Sequence, residues 1–268
     1  MLEIKQDDFV RLTAFILNDY GINLTHKKNL IEGRLGKTIT DMGFSNFTQY
    51  VDHILKTKSK NDLDVLINRV TTNHTFFMRE NSHFEFFSDV ILPEVEKSSR
   101  NRSPGIWSAA CSSGEEPYTM SIILCEFFGK KPQKWDIRML ATDISQRVLK
   151  TAKAGTYSEE SLKELPEAWK KKYFTKSGSE YTVTKQLRDN IVFKEFNLMD
   201  PIKFKTTFDV IFCRNVMIYF DQQTKDALVQ RFYNVLNPGG YLLIGHSETL
   251  NKATSPFKYL MPATFRKV

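Results

Sequence analysis

The chain has 268 residues, 41% hydrophobic and 26% charged, with 12 Gly and 9 Pro. That length suits one or two domains, and the composition excludes collagen-like, low-complexity and broadly disordered classes. Lys and Arg number 38 against 31 Asp and Glu, a net charge of +7 that fits an anionic partner and equally fits an ordinary solvated surface. Cys111, Cys125 and Cys213 form no CxxC pair, so no metal site and no disulfide framework is expected. No apolar stretch approaches the ~20 residues of a spanning helix, and the start of the chain lacks a basic segment leading into an apolar one. A cytoplasmic protein without membrane insertion is expected.

In chain order, residues 1–72 read as a small all-helical domain. Phe9, Leu12 and Ile16 form one apolar stripe, Leu63, Leu66, Ile67 and Val70 another. Between them Phe47, Tyr50, Val51, Ile54 and Leu55 recur at helical spacing behind Ser45, a possible cap. Residues 73–105 read as a linker and helix, closed by a turn at 100–105. From 106 to 268 strands alternate with helices. Strands are predicted at Ile106–Ala110, Ile137–Ala141, Ile191–Glu195, Phe208–Cys213 and Tyr241–Gly245. Helices are predicted at Glu115–Phe128, Ser145–Ala154 and Gln222–Leu236, with a closing hairpin at Phe257–Leu260 and Ala263–Lys267. This alternation specifies an α/β fold with a doubly wound, mostly parallel sheet. Residues 155–190 break the rhythm as an insertion with a small strand at Tyr181–Thr184. From Ser145 to Asn190 there are ten Lys or Arg against six Asp or Glu.

Ligands of such sheets bind beyond the carboxyl ends of the strands. The first strand runs into Ala110-Cys111-Ser112-Ser113-Gly114-Glu115-Glu116, a small-residue turn opening a helix. Two acidic residues at that helix start disfavour a pyrophosphate, although they also complement the helix dipole. Asp143 ends the second strand, where a carboxylate can accept two hydrogen bonds from ribose hydroxyls; alternatively Asp143 or Ser145 caps the following helix. The third and fourth strands end in Glu195-Phe196-Asn197-Leu198 and Arg214-Asn215. Upstream, Asn73 to Glu80 interleaves polar and aromatic residues, which a packed linker would also do.

Four stretches, in this order, resemble the CheR family of chemotaxis receptor glutamate methyltransferases: Asn73–Glu80, Trp107–Tyr118, Ala141–Ser145 and Phe208–Phe220. Leu236–Gly240 followed by Gly245-His246-Ser247-Glu248 adds to the likeness, which spans essentially the whole chain. Ser113 stands where the family has Thr, and Met78 where Phe is commoner. The resemblance implies a class I methyltransferase-like fold, with a small β-subdomain as the insertion and S-adenosylmethionine as methyl donor leaving as S-adenosylhomocysteine. It implies that Asn73, Thr75 and Arg79 border the donor's methionine end with Glu116 near it, and that Asp143 holds the ribose. Asn197, Leu198, Arg214 and Asn215 would surround the adenine and remaining edge, and Arg79 and Tyr219 would lie nearest the transferred methyl and the incoming glutamate.

The implied partner is the acidic helical bundle of a chemotaxis receptor's cytoplasmic portion, met by a monomer. On a helical wheel Lys27, Arg34 and Lys37 cluster beside the apolar face Ile31, Leu35 and Ile39 and are the candidate docking residues; an ordinary solvated face is the plainer reading. The insertion has little room for the longer loop with which some members grip a receptor C-terminal peptide, so none is expected to bind. Other readings are a methyltransferase for nucleic acid or another protein, and a non-catalytic regulator that keeps the fold. No nucleic-acid platform is legible. Ser112, Asp209 and His246 follow the chain order of an α/β-hydrolase triad, but Ala110 replaces a glycine its elbow needs.

Overall fold

The computed structural model describes residues 2–99 and 101–268; Arg100, the first residue of the predicted turn, lies outside them. Two compact units are present. The first runs to Asn73 and takes in Tyr219–Lys225, and the second holds His74–Ile218 and Asp226–Val268.

The first unit is built on α1 (Gln6–Tyr20), α2 (Lys28–Asp41), α3 (Phe47–Thr57) and α4 (Lys60–Val70), with α1 against α3 and α2 against α4. On α3 the apolar stripe is inside: Phe47, Tyr50, Val51 and Ile54 are buried. Its cap is Asn46, not Ser45. Asn46 is extended and its side chain accepts the Gln49 N–H at 3.0 Å, while the Ser45 N–H donates back to Gln49 Oε1 at 3.0 Å, a variant of the reciprocal cap. Tyr219–Lys225 joins this unit through an isolated bridge between Ile22 and Phe220 and the Asn23 N–H to the Tyr219 carbonyl. No sequence period marks that return.

The second unit opens with α5 (Ser82–Phe86), a π-helical turn (Phe87–Ile91) and α6 (Leu92–Ser98). Pro93 explains the widened turn, because it has no N–H to give the Asp89 carbonyl and its ring crowds that group. Then follow β1 (Ile106–Ala109), α7 (Glu115–Phe128), β2 (Met139–Asp143), α8 (Gln146–Ala154), β3 (Thr156–Ser158), α9 (Glu167–Tyr173), β4 (Phe174–Ser177), β5 (Glu180–Val183), α10 (Lys185–Asp189), β6 (Ile191–Glu195), β7 (Phe208–Cys213), α11 (Gln222–Val235), β8 (Leu236–Ile244), β9 (Lys258–Met261) and β10 (Thr264–Arg266).

The main sheet has the order β6-β2-β1-β7-β8-β10-β9. Its first five strands pair in parallel, and β10 is antiparallel to both β8 and β9. This is the doubly wound, class I methyltransferase-like arrangement. Chain direction across the sheet reverses between β1 and β7, so the loops at their carboxyl ends leave a crevice there. Trp107 anchors one face, fully buried among Phe196, Phe204, Phe208 and Phe232, with its indole N–H on the Thr142 hydroxyl at 2.9 Å. Phe212 anchors the other against Phe84 and Phe87.

Two of the parallel strands differ from expectation by more than one residue. β2 starts two residues late and runs on to Asp143, because its pairing with β6 continues through Asp143 and Glu195. β8 begins at Leu236, since Phe208 pairs with Leu236 before a register shift skips the Asn237-Pro238-Gly239 turn. The insertion carries three antiparallel strands in the order β3-β5-β4, where the sequence pattern alone marked one and the resemblance implied a small β-subdomain. β3 and β4 are too short, and β4 too polar, to show alternation.

Candidate active site

Within the second unit, the loop after β1 is shaped by backbone. The Ala110 and Cys111 N–H groups both donate to the Thr142 carbonyl at 2.8 Å. Ala110 (φ 71°) and Ser112 (φ 49°) are left-handed though neither is glycine, a strain of about 1–3 kcal/mol each that surrounding structure must hold. It aims the Ser112 N–H at Asp143, 2.8 Å from one carboxylate oxygen, while the Ser145 N–H lies 2.9 Å from the other. Asp143 thus ties the ends of β1 and β2 together at 8% exposure, and burial raises its carboxyl above the ordinary value against those N–H donors. The capping role belongs to Ser145, whose hydroxyl accepts the Val148 N–H at 3.2 Å. Gly114 (φ 100°) closes the loop; a Cβ there would lie 2.8 Å from the Tyr157 hydroxyl and 2.9 Å from Ala152 Cβ. Glu115 turns inward, taking the Ser113 hydroxyl on its carboxylate, and burial raises its carboxyl.

At the end of β7 stands Arg214, its side chain 3% exposed. Its Nη1 donates to Glu116 Oε2 at 3.0 Å, and its Nε and Nη2 donate to Glu80 Oε2 at 3.3 and 3.1 Å. Nη2 also donates to the Arg79 carbonyl, and the guanidinium lies 5.2 Å from the Phe84 ring centroid. Glu116 takes the Ser108 hydroxyl at 2.6 Å on its other oxygen. One cation between two carboxylates leaves this buried cluster a net negative charge, a field suited to a cationic ligand. Burial opposes ionisation of Glu80, yet the Asn215 amide at 3.1 Å and Arg214 outweigh it and hold that carboxyl below its ordinary value. Asn215 is left-handed (φ 58°) and packed on Gly245, where a Cβ would lie 2.3 Å from its amide nitrogen.

The structure therefore gathers Arg79, Glu116, Arg214 and Asn215 into one hydrogen-bonded network, with Asp143 on the neighbouring strand end. Thr75 and Arg79 are half-buried in the segment leading to α5, where Arg79 Nη1 donates to the His74 carbonyl at 2.7 Å. Phe77 of that segment is core, edge-on to Tyr157 and Phe174. After β6, Asn197 folds its side chain back on the Met199 N–H at 3.0 Å, and buried Leu198 gives its carbonyl to Arg231 at 2.6 Å.

Asn73 and Tyr219 belong to the first unit, where the Tyr219 hydroxyl donates to the Thr72 carbonyl at 3.3 Å. Also in that unit, Lys27 precedes α2 in a non-helical conformation (φ −116°, ψ 38°), which corrects its place on the helical wheel. Arg34 is occupied at the end of α4: Nη1 donates to the Val70 and Thr71 carbonyls at 2.9 and 3.1 Å, and Nη2 to the Thr72 hydroxyl at 2.8 Å. Lys37 is exposed. The hydrolase constellation does not assemble. Asp209 lies at the amino end of β7, bonded to the Gly105 N–H and the Asn237 amide, whereas Ser112 lies at a carboxyl end.

Three residues had no assigned role. Glu80 is the hub just described. Buried Glu248 accepts the N–H groups of Gly245, Asn215 and Ile218 and so pins the loops after β7 and β8; burial raises its carboxyl. His83 is fully buried beside His246, and burial drives its imidazole pKa down to about 3, with Arg214 adding to the effect. Glu80 and Glu248 fall in stretches that carry the family resemblance, which was the available signal for them; His83 falls in none.

Residues 73–265 match the family described as CheR methyltransferase, SAM binding domain, and residues 7–71 match the CheR methyltransferase, all-alpha domain. The chain is 42% identical to a chemotaxis protein methyltransferase of Borreliella burgdorferi, covering 99% of this chain and 96% of that one. It is 38% identical to a probable chemotaxis protein methyltransferase of Rhizobium etli, covering 94% and 96%. With the chemotaxis protein methyltransferase of Escherichia coli it shares 33% identity, covering 93% and 87%.

Proposed function

The chain belongs to the CheR methyltransferase family, and from that premise we propose that it transfers methyl groups from S-adenosylmethionine to glutamate side chains of chemotaxis receptors, leaving glutamyl methyl esters and S-adenosylhomocysteine. The observation that carries the reading is Asp143. It is a carboxylate at the end of β2, fixed by two backbone N–H groups beside a loop of small residues. An ionised carboxylate has about four acceptor positions, and the backbone N–H groups of Ser112, Ser145 and Ile144 leave it room to accept from a ribose hydroxyl. Asn197, Leu198, Arg214 and Asn215 would hold the adenine and adjoining edge. Thr75, Arg79 and Glu116 would meet the methionine end, where the negative cluster suits a sulfonium; the family resemblance assigns Asn73 to that end as well.

S-adenosylmethionine, when bound, supplies a methyl group already activated by its sulfonium. A glutamate acceptor, with a reference pKa of about 4.3, is ionised at neutral pH, so no residue has to remove a proton. The residues' work is to fix the line of approach and exclude water. Arg79 has five N–H donors, one of them given to the His74 carbonyl, and orients the incoming carboxylate. A contact as tight to the bound acceptor as to the transition state would not raise turnover, so its part is positioning. The family resemblance assigns a like part to Tyr219.

Lys27 and Lys37 dock the acidic receptor bundle, with Arg34 beside them and also supporting α4. The β4–β5 hairpin turns through Gly178 and Ser179 alone, and we assign it no receptor peptide. The test is S-adenosylhomocysteine release on adding a receptor cytoplasmic fragment. Release is expected with the native fragment and not with one whose acceptor glutamates are replaced by alanine; release from both would overturn the glutamate assignment.

A further inference from the structure

His83 is the anomaly of the second unit: it is fully buried, and neither ring nitrogen has a hydrogen-bond partner among the described residues. Leaving a buried polar group unsatisfied costs about 1–3 kcal/mol, so a residue of this type in this place calls for an occupant. Its neighbours say which kind. Nδ1 lies 3.7 Å from Glu80 Oε2, and the ring sits edge-on to His246 with centroids 4.6 Å apart. One ligand atom from each of Glu80, His83 and His246 falls within 4.8 Å of the others.

We propose that Glu80, His83 and His246 form a binding site for a late first-row divalent cation of the zinc type, distinct from the methyl-transfer chemistry. Metal–nitrogen and metal–oxygen bonds of about 2.0–2.2 Å require ligand atoms no more than about 4 Å apart. The Glu80–His83 pair already meets this at 3.7 Å. His246 is exposed, so its side chain is free to swing inward by the small remaining distance and also opens the site to solvent. The Ser82 hydroxyl is hydrogen-bonded to His246 Nε2 at 3.3 Å, and water can fill the fourth position.

Two imidazoles and one carboxylate select zinc, cobalt, nickel or copper over magnesium and calcium, which want more oxygen ligands. The Arg214 guanidinium on the same Glu80 oxygen opposes any cation and sharpens this preference, because nitrogen ligands must then supply most of the binding. Glu80 Oε2 already accepts Arg214 Nε and Nη2, and Oε1 accepts the Asn215 amide, so ligation displaces one of the Arg214 bonds while the guanidinium keeps Glu116.

The experiment uses the full chain without methyl donor, titrated with Co²⁺ as a visible probe and then with Zn²⁺ to displace it. One equivalent of cobalt is expected, with absorption of nitrogen-and-oxygen ligation, discharged by zinc and weakened at least about tenfold in H246A. Because His246 is exposed, H246A should fold, and an unchanged melting temperature without metal checks this. H83Q is the second variant and should lose the same signal. No stoichiometric cobalt spectrum in the native chain would overturn the site, as would a spectrum unaltered in H246A. Donor binding is not read in this experiment, so failure of the metal site leaves the methyltransferase reading standing, and the reverse.

Discussion

Replacing Arg214 with alanine leaves Glu80 and Glu116 facing each other, each less than 15% exposed, with no cation between them. Breaking a buried pair this way costs about 3–5 kcal/mol. Chemical denaturation of R214A should show a loss of that size, and calorimetry should show weakened S-adenosylhomocysteine binding. Lysine should rescue little, since an ammonium cannot span both carboxylates as the guanidinium fork does. Asp143→Ala should weaken S-adenosylmethionine and S-adenosylhomocysteine alike, because ribose contacts are the same in both; unchanged affinity for both would remove the ribose role. Asp143 was legible because strand ends are where ligands bind, and Arg214 because it follows an apolar run. Glu80 was not legible as the partner of Arg214. Its bond to Arg214 spans 134 positions, and nothing local in the sequence encodes a contact of that separation.

At the scale of elements, helix faces and strand cores followed periodicity, whereas caps, register and the insertion's outer strands depended on pairing that no period reports. The insertion is tied to α7 through Glu126, which takes Lys172 Nζ at 2.6 Å and the Tyr173 hydroxyl at 2.7 Å. Lys172, then Tyr173, hold its carboxyl below the ordinary value, with Lys130 adding to the effect. A depressed carboxyl lends stability that is present above its unfolded pKa of about 4.3 and is lost as pH falls through the folded value. The melting temperature of the native chain should therefore fall more steeply than that of E126Q as pH drops below that range. In the helical unit, Ile54→Ala removes a fully buried side chain and should cost about 2–5 kcal/mol. Arg34→Ala should destabilise by about 1 kcal/mol or more through the freed carbonyls at the end of α4, whereas Lys37→Ala should leave stability unchanged. Lys27 and Lys37 are therefore the clean test of docking: their removal should lower receptor methylation at low salt and matter less as salt rises.

For the whole molecule, the proposed docking of an acidic receptor bundle on a chain of net charge +7 predicts salt-sensitive association, and without a peptide grip no tether would raise effective concentration. An isolated receptor C-terminal peptide should show no measurable affinity. In the proposed mechanism the donor brings the reactive methyl and Arg79 brings alignment, a part the family resemblance also gives Tyr219. Arg79→Ala, and to a lesser degree Tyr219→Phe, should accordingly lower turnover far more than melting temperature. The measurement that bears most directly on this account is incubation with methyl-labelled S-adenosylmethionine and a receptor cytoplasmic fragment, followed by alkali. Label transferred to the fragment and released by alkali as methanol is the result expected of glutamyl esters. Label that stays on the fragment through alkali, or that never reaches it, would contradict the assignment.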